Sequence, residues 1–413
     1  MKKISIKSSL VVAILSLCYM MVFINRMGAA VLAGDIQIAF EATPAETGLL
    51  SSLFFYTYAL MQIPGGLLTD HIGPRRVMLS SLLIGSAGIG IFAAAPTMSW
   101  ALAGRFLIGV GMASILVPSY RILANWFPPQ KFIAMASIVV STAGLGGLLA
   151  GAPLAVGGIV LGWRTCQMIL AVLTFLLALS VWLNVYNFPD KEKNGAQTGR
   201  KPFSMHIVME NLRLVCADKQ CWVLAFWFFV NGGICFSFSG LWAGPYFSQV
   251  CGWSKEATGM LISLFGIGIV IGPLSASYLC RKLSGRGLLS SSMAVLAAIL
   301  ILLMILGEDL PFSVACLWCV AFTTVIAAPF GVVFDIVKRS HTAEVSGLAS
   351  GFVYTFCMMG AACMQAVIGL WLQNEPKGQN FTHEDFFPIF AVYALLALTA
   401  TVAPYLLKKE KHD

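Results

Sequence analysis

The sequence predicts an all-α integral membrane protein of about twelve spanning helices in two related halves, and three observations predict it. First, 58% of the 413 residues are apolar and only 11% are charged, with a mean hydropathy of +0.84, whereas soluble domains run at about 45–50% apolar and 25% charged. Second, the apolar residues fall in long runs broken by short polar turns. A span needs about 20 residues, so a chain of this length with little soluble insertion holds about twelve. Third, the turns recur at similar spacing in the two halves. The 39 glycines exceed the usual roughly 7%, which suits close approach of helices in lipid.

The chain opens on Lys2 and Lys3, followed by an apolar run from Ser8 to about Leu32. Its charged start resembles a signal peptide, but the run is long and passes Asn25 and Arg26 without a small-residue cleavage site, so it reads as an uncleaved span 1. A polar segment with Asp35, Glu41 and Glu46 leads into span 2, which ends near Leu68. The stretch from Gly65 to Leu79, GGLLTDHIGPRRVML, then sets an acidic residue, a Gly-Pro pair and two arginines between apolar runs. Those groups fit poorly in hydrocarbon, so the two runs meet water here. Span 3 covers Val77 to about Ala95, and span 4 runs from about Trp100 to Ala124, stopped by Trp126-Phe127-Pro128-Pro129. Span 5 reaches about Val160, and span 6 ends near Asn187.

Pro189 to Lys219 is the only long polar connection, which divides the chain into a first unit 1–188, a loop 189–219 and a second unit 220–413. Spans 7 to 12 are expected at roughly Cys221 to Val250, Ala257 to Cys280, Leu288 to Gly307, Phe312 to Ile336, Val345 to Leu372 and Phe387 to Leu407. Gly285 follows Gly73 by 212 residues, as a duplicated six-helix unit requires. The repeat is degenerate, because Arg281 and Lys282 keep the basic character while Asp70 has no counterpart.

With the N-terminus inside, 20 of the 26 arginines and lysines fall in inner segments, and only Arg164, Lys255 and Lys377 in outer turns. That bias predicts cytoplasmic N- and C-termini in a multi-pass protein of the cell (inner) membrane. It also accounts for the net charge of +8, so no nucleic-acid partner is called for. Eleven cysteines scattered through apolar runs do not form a disulfide framework. Cys316 and Cys319 are read as packing inside a span rather than binding metal.

A charge at the bilayer centre costs about 2.5–3.5 kcal/mol on insertion scales, so an arginine there is a functional candidate. Arg26 lies about sixteen residues into span 1, roughly 24 Å from its inner start. Arg105 lies inside span 4 toward the outer side, and Arg121 is near enough to the inner end to snorkel. A planar guanidinium suits bidentate capture of a carboxylate or phosphate. The alternative for either deep arginine is a structural bond to backbone carbonyls of a neighbouring helix. Tyr19 shares the face of Arg26 two turns earlier, and Asn231, Trp242 and Tyr354 are further cavity candidates. So are Gln62, Ser239, Tyr246 and Gln365, and each could equally serve interhelical hydrogen bonding.

The spacing Gly66-x-Leu68-x-Asp70-x-x-Gly73-x-Arg75-Arg76 resembles the loop between helices 2 and 3 of the major facilitator superfamily. Asn25-Arg26, Arg105-Phe-Leu-Ile-Gly109 and Trp126-Phe127-Pro128 are similar to its anion:cation symporter branch, and the Arg26 position also to its organophosphate antiporters. The resemblance implies two pseudo-symmetric six-helix bundles and alternating access, with Gly66, Asp70, Gly73, Arg75 and Arg76 in gating. It implies that Arg26 and Arg105 serve an anionic substrate and coupling, beside the cavity candidates Tyr19, Asn25, Asn231, Trp242 and Tyr354 read from the spans themselves. It also implies that Asp70 faces the start of span 11 near Val345 when the inner side is closed. The chain departs from the symporters in having Asn25 and Met112 where they carry carboxylates. A proton or sodium co-substrate is left with Asp35 and Asp335 as acidic candidates, neither of them central.

The function this predicts is secondary or facilitative transport of a small organic anion by a monomer in the bilayer, with no cofactor. Gly147-x-x-x-Gly151-Ala-Pro153 resembles a motif of drug exporters with the proline shifted, and reads equally as a small-residue packing face. The alternatives are therefore a drug or metabolite exporter and a non-transporting membrane receptor. No GxxxxGK[ST] or catalytic constellation points to an enzyme.

Overall fold

The computed structural model describes residues 6–189, 205–373 and 381–407. Lys2, Lys3, Lys377, the lysines after residue 407 and residues 190–204 of the expected central loop lie outside the described residues. Every regular element in the described residues is helical: α1 Ile6–Phe40, α2 Pro44–Ile72, α3 Pro74–Ala94, α4 Met98–Ala113, α5 Leu116–Trp126, α6 Pro129–Ala150, α7 Ala152–Val160 and α8 Trp163–Asn184. The second part holds α9 Met205–Ala217, α10 Lys219–Ser237, α11 Lys255–Leu279, α12 Gly285–Leu306, α13 Phe312–Ala327, α14 Phe330–Ser340, α15 Ala343–Leu372 and α16 His383–Val402.

Eleven helical stretches of the described residues are long and apolar enough to cross a membrane. The 29-residue α2 is outside that set, since it carries Ser51, Ser52, Tyr56, Thr57, Tyr58 and Gln62. Its hydroxyls lose little by burial, because Ser52 and Thr57 donate to the carbonyls of Leu49 and Leu53 in their own helix. Thr43 and Glu46 cap its start reciprocally.

Several boundaries differ from expectation. The polar residues after Leu32 predict the end of span 1 there, yet α1 continues through Asp35 to Phe40, because a lysine from another helix compensates that carboxylate. Part of the supposed loop 189–219 is helical, as α9, and packs on α15. Two spans are broken. Ser114 and Ile115 separate α4 from α5, and α13 and α14, each 214 residues after its counterpart, are separated near Pro329. Beyond α10 the chain forms wide π-helical turns at Phe238–Trp242 and Tyr246–Val250 on either side of Pro245, whose ring cannot fit a regular turn.

Helix pairings recur as the breaks do. In the first part α1 packs on α6, α2 on α4 and α3 on α8; in the second, α10 packs on α15, α11 on α13 and α12 on α16. Between the parts, α2 packs on α15, α6 and α7 pack on α11, and α1 lies along the π-helical stretch. The Gly147 and Gly151 face expected to be small for packing lies in this contact, where a Cβ at Gly147 would come within 2.9 Å of the Gly266 Cα.

The short turns give the molecule two ends, one carrying Asp35 and the other Asp70. Close approaches between the parts concentrate at the Asp35 end. A Cβ on Gly48 would lie 2.8 Å from the Gln365 carbonyl oxygen, and one on Gly369 would lie 2.6 Å from that of Pro44.

Candidate functional site

The deepest charge is Arg26, carried by the unbroken α1 and only 1% exposed. Its guanidinium carbon lies 4.6 Å from the ring centre of Phe23, 4.7 Å from that of Tyr58 in α2, and 5.0 Å from that of Phe236 in α10. Tyr354 of α15 and Tyr19 stand within electrostatic reach of the guanidinium. Four helices, two from each part, thus converge on one cation. Ring faces attract it by about 0.5–2 kcal/mol each but carry no counter-charge.

Arg26 Nε and Nη2 are buried with no hydrogen-bond partner among the described residues. A buried donor left unmade costs about 1–3 kcal/mol, more for a charged group. The arrangement calls for an acceptor with two oxygens, such as a carboxylate, sulfonate or phosphate, to meet the planar fork.

Arg105 is placed differently. Its Nη1 donates to the Asn25 carbonyl at 3.3 Å, and its guanidinium carbon lies 5.2 Å from the Phe92 ring centre. That is the backbone-bonded alternative for this residue, and it ties α4 to α1 one residue before Arg26. Asn25 turns its own side chain to the Met21 carbonyl at 2.9 Å. Asn231 Nδ2 donates to the Ile326 carbonyl at 3.3 Å, with its Oδ1 buried and unpartnered among the described residues. Trp242 Nε1 donates to the Gln365 carbonyl at 3.2 Å, and Gln365 Nε2 to the Phe236 carbonyl at 2.8 Å. This relay fixes the backbone whose ring faces Arg26. The structure therefore brings Arg26, Tyr19 and Tyr354 together, while Arg105, Asn25, Asn231 and Trp242 bond backbone around them.

At the Asp70 end, Asp70 pairs within its own part. Its Oδ1 accepts from Arg121 Nη2 at 2.5 Å and Nε at 3.0 Å, on α5 of its own part. Arg121, read from sequence as snorkelling to the surface, is thus the partner of Asp70. Arg75 is drawn to the end of α8: its backbone N–H donates to Asn187 Oδ1 at 3.0 Å, its guanidinium donates to the Trp182 carbonyl, and it stacks on Tyr186. Gly73 has φ of 94° and serves as both the end of α2 and the start of α3, a conformation that side chains resist. A Cβ at Gly66 would meet nothing within 4 Å, and Arg76 is exposed.

Of the acidic candidates, Asp35 pairs with Lys255 at the start of α11 at 2.5 Å, across the two parts. Asp335 pairs with Arg339 one turn along its own helix at 2.7 Å. Phe23, Tyr58 and Phe236 escape a reading of the sequence, since an aromatic residue in an apolar run carries no sign of facing a charge.

The profile of the Major Facilitator Superfamily matches residues 15–364, and the chain belongs to that family. It is a multi-pass membrane protein of a transporter class, not an enzyme. Among curated proteins it is similar to an uncharacterized transporter of Bacillus subtilis, 26% identical over 63% of each chain. It is also similar to the hexuronate transporter of that organism, 23% identical over 92% of each chain. Among solved structures it resembles an inward-facing, occupied bacterial homolog of the human lysosomal transporter Spinster, with a TM-score of 0.76, 17% identity, and 98% of this chain and 97% of that one covered. At that identity the likeness concerns the fold alone.

Proposed function

We propose that the protein carries a small organic anion across the membrane by alternating access, with Arg26 binding the anionic group. The observation that carries this is the pair of unpartnered, buried donors on a cation framed by helices of both parts. The similarity to a hexuronate transporter fits a carboxylate-bearing substrate.

In this reading α2 completes twelve spans, and residues 1–188 and 220–413 form two pseudo-symmetric six-helix bundles joined by 189–219. The recurring pairings and the shared 214-residue offset of the broken spans support it. The arginine and lysine bias puts the Asp70 end and both termini in the cytoplasm of a monomer in the cell (inner) membrane. The contacts at the Asp35 end then describe an inward-facing state, with Gly66, Asp70, Gly73, Arg75 and Arg76 forming the inner gate. Arg105 holds α1 in place, and Tyr19, Asn25, Asn231, Trp242 and Tyr354 shape the cavity. A proton or sodium ion is the candidate co-substrate. Both acidic candidates, Asp35 and Asp335, are tied up in ion pairs, so a weak proton dependence is expected.

The test is calorimetry on purified wild-type and Arg26→Ala protein with a panel of carboxylates, sulfonates, organophosphates and amphipathic cations. Binding of an anion should be lost in Arg26→Ala and weakened in Arg26→Lys, which keeps the charge but not the fork. A folded Arg26→Ala protein with unchanged affinity, or binding of cations only, overturns the reading.

A further inference from the structure

We propose that Asp218, Cys221 and His341 form a divalent-metal site of the zinc class at the Asp70 end of the second part. Asp218 is the N-cap of α10, Cys221 lies in its first turn, and His341 ends α14. Chain segments 120 residues apart thus meet at one point.

The geometry is that of a ligand set. Cys221 Sγ lies 3.7 Å from His341 Nε2 and 4.0 Å from Asp218 Oδ2, and the latter two atoms are 3.4 Å apart. Ligands at about 2.0–2.3 Å from a tetrahedral zinc are separated by about 3.4–3.6 Å. Closing the triangle on a metal therefore needs shifts of only a few tenths of an ångström.

The imidazole is oriented for the task. His341 Nδ1 lies 3.1 Å from the Val337 carbonyl oxygen. A carbonyl only accepts, so Nδ1 carries the proton and Nε2 of the neutral ring presents its lone pair. A metal-ligating histidine is commonly held this way. The lone pair faces a carboxylate oxygen, and two acceptors at this distance need a cation or a proton between them.

A hydrolytic arrangement is ruled out by the same contacts. In such a triad the carboxylate binds the ring nitrogen remote from the nucleophile, whereas here thiol and carboxylate converge on Nε2. Asp218 Oδ1 accepts from the Gln220 N–H at 3.0 Å, which fixes the other oxygen toward the site. Cys221 is 1% exposed, while the Asp218 side chain is 25% exposed, leaving a side for water as fourth ligand. A thiolate, imidazole and carboxylate set selects zinc or cobalt over magnesium or calcium. On binding, the Cys221 S–H bond breaks, the sulfur pair forms the metal bond, and the proton leaves to solvent.

The test uses full-length protein purified in detergent without a polyhistidine tag, titrated with Co²⁺ and then Zn²⁺. The expected result is a thiolate-to-cobalt charge-transfer band that saturates at one metal per chain and is bleached by Zn²⁺. It should be absent in Cys221→Ser, displaced to higher Co²⁺ in His341→Gln, and retained in Cys216→Ser, which removes the exposed thiol nearby. No band in wild-type protein, as when only a proton occupies the site, overturns the proposal. So does a band that survives Cys221→Ser. Should that variant fail to fold, a band unmoved by His341→Gln overturns the proposal in its place.

Discussion

The two ends of the molecule hold themselves by different means. At the Asp35 end the halves touch through backbone, with Gly48 against Gln365, Gly369 against Pro44, and the half-buried Asp35 and Lys255 pair spanning the seam. At the Asp70 end, Asp70 pairs with Arg121 and Arg75 bonds the end of α8, each within the first half, and these contacts are largely exposed. Backbone contact without side chains is stiff and intolerant of added volume. Exposed ion pairs are weak and easily exchanged, which suits an end that must find new partners when it closes.

The comparison breaks most sharply if volume is added to the tight end. Gly369→Val should disfavour the closed Asp35 end by about 1–3 kcal/mol, a population shift of about 5- to 150-fold. Spin labels at positions 38 and 373 should then report a longer separation. Gly66→Val, where a Cβ meets open space, should leave that distance unchanged. Equal responses from the two variants would erase the distinction between the ends.

A smaller effect is expected from the ion pair across the seam. Lys255→Ala should cost up to about 1 kcal/mol, about a fivefold shift in the same direction, and swapping the charges as Asp35→Lys with Lys255→Asp should recover part of it. No change in the label distance would mean that glycine contacts alone close this end.

The smallest change in stability is expected for Asp70→Asn. Its pair with Arg121 is more than half exposed, so the loss should stay below about 0.5 kcal/mol and the Tm should barely move. Transport should still fall, because the variant cannot place a carboxylate at the N-terminus of α15 when the Asp70 end closes. Unaltered transport in proteoliposomes would remove Asp70 from the gate.

How much of this is legible in the sequence follows the range of each interaction. Span existence depends on local composition, so the apolar runs locate the helices, and α2 is the less apolar one because it carries Ser51, Ser52, Tyr56, Thr57, Tyr58 and Gln62. Arg26 stands out because a charge amid apolar neighbours is costly wherever the chain folds. Its rings do not stand out, since Tyr58 and Phe236 look like any core aromatics until two halves bring them together. The same holds for Asp70 with Arg121, and for Cys221 with His341, where no local pattern links the partners. For Arg105 the sequence leaves a substrate role and a backbone bond side by side, since only the packing of α4 on α1 brings the Asn25 carbonyl within its reach.

The ring faces around Arg26 also bear on what the empty carrier can do. Phe236 and Tyr354 come from the second half, so any motion that parts the halves takes them off the guanidinium and leaves the positive charge with only the Phe23 and Tyr58 rings in a low-dielectric interior. A bound anion would travel with Arg26 and keep the pair neutral throughout the swing. The loaded carrier should therefore cross between its states faster than the empty one, so that swapping one anion for another outruns net flow.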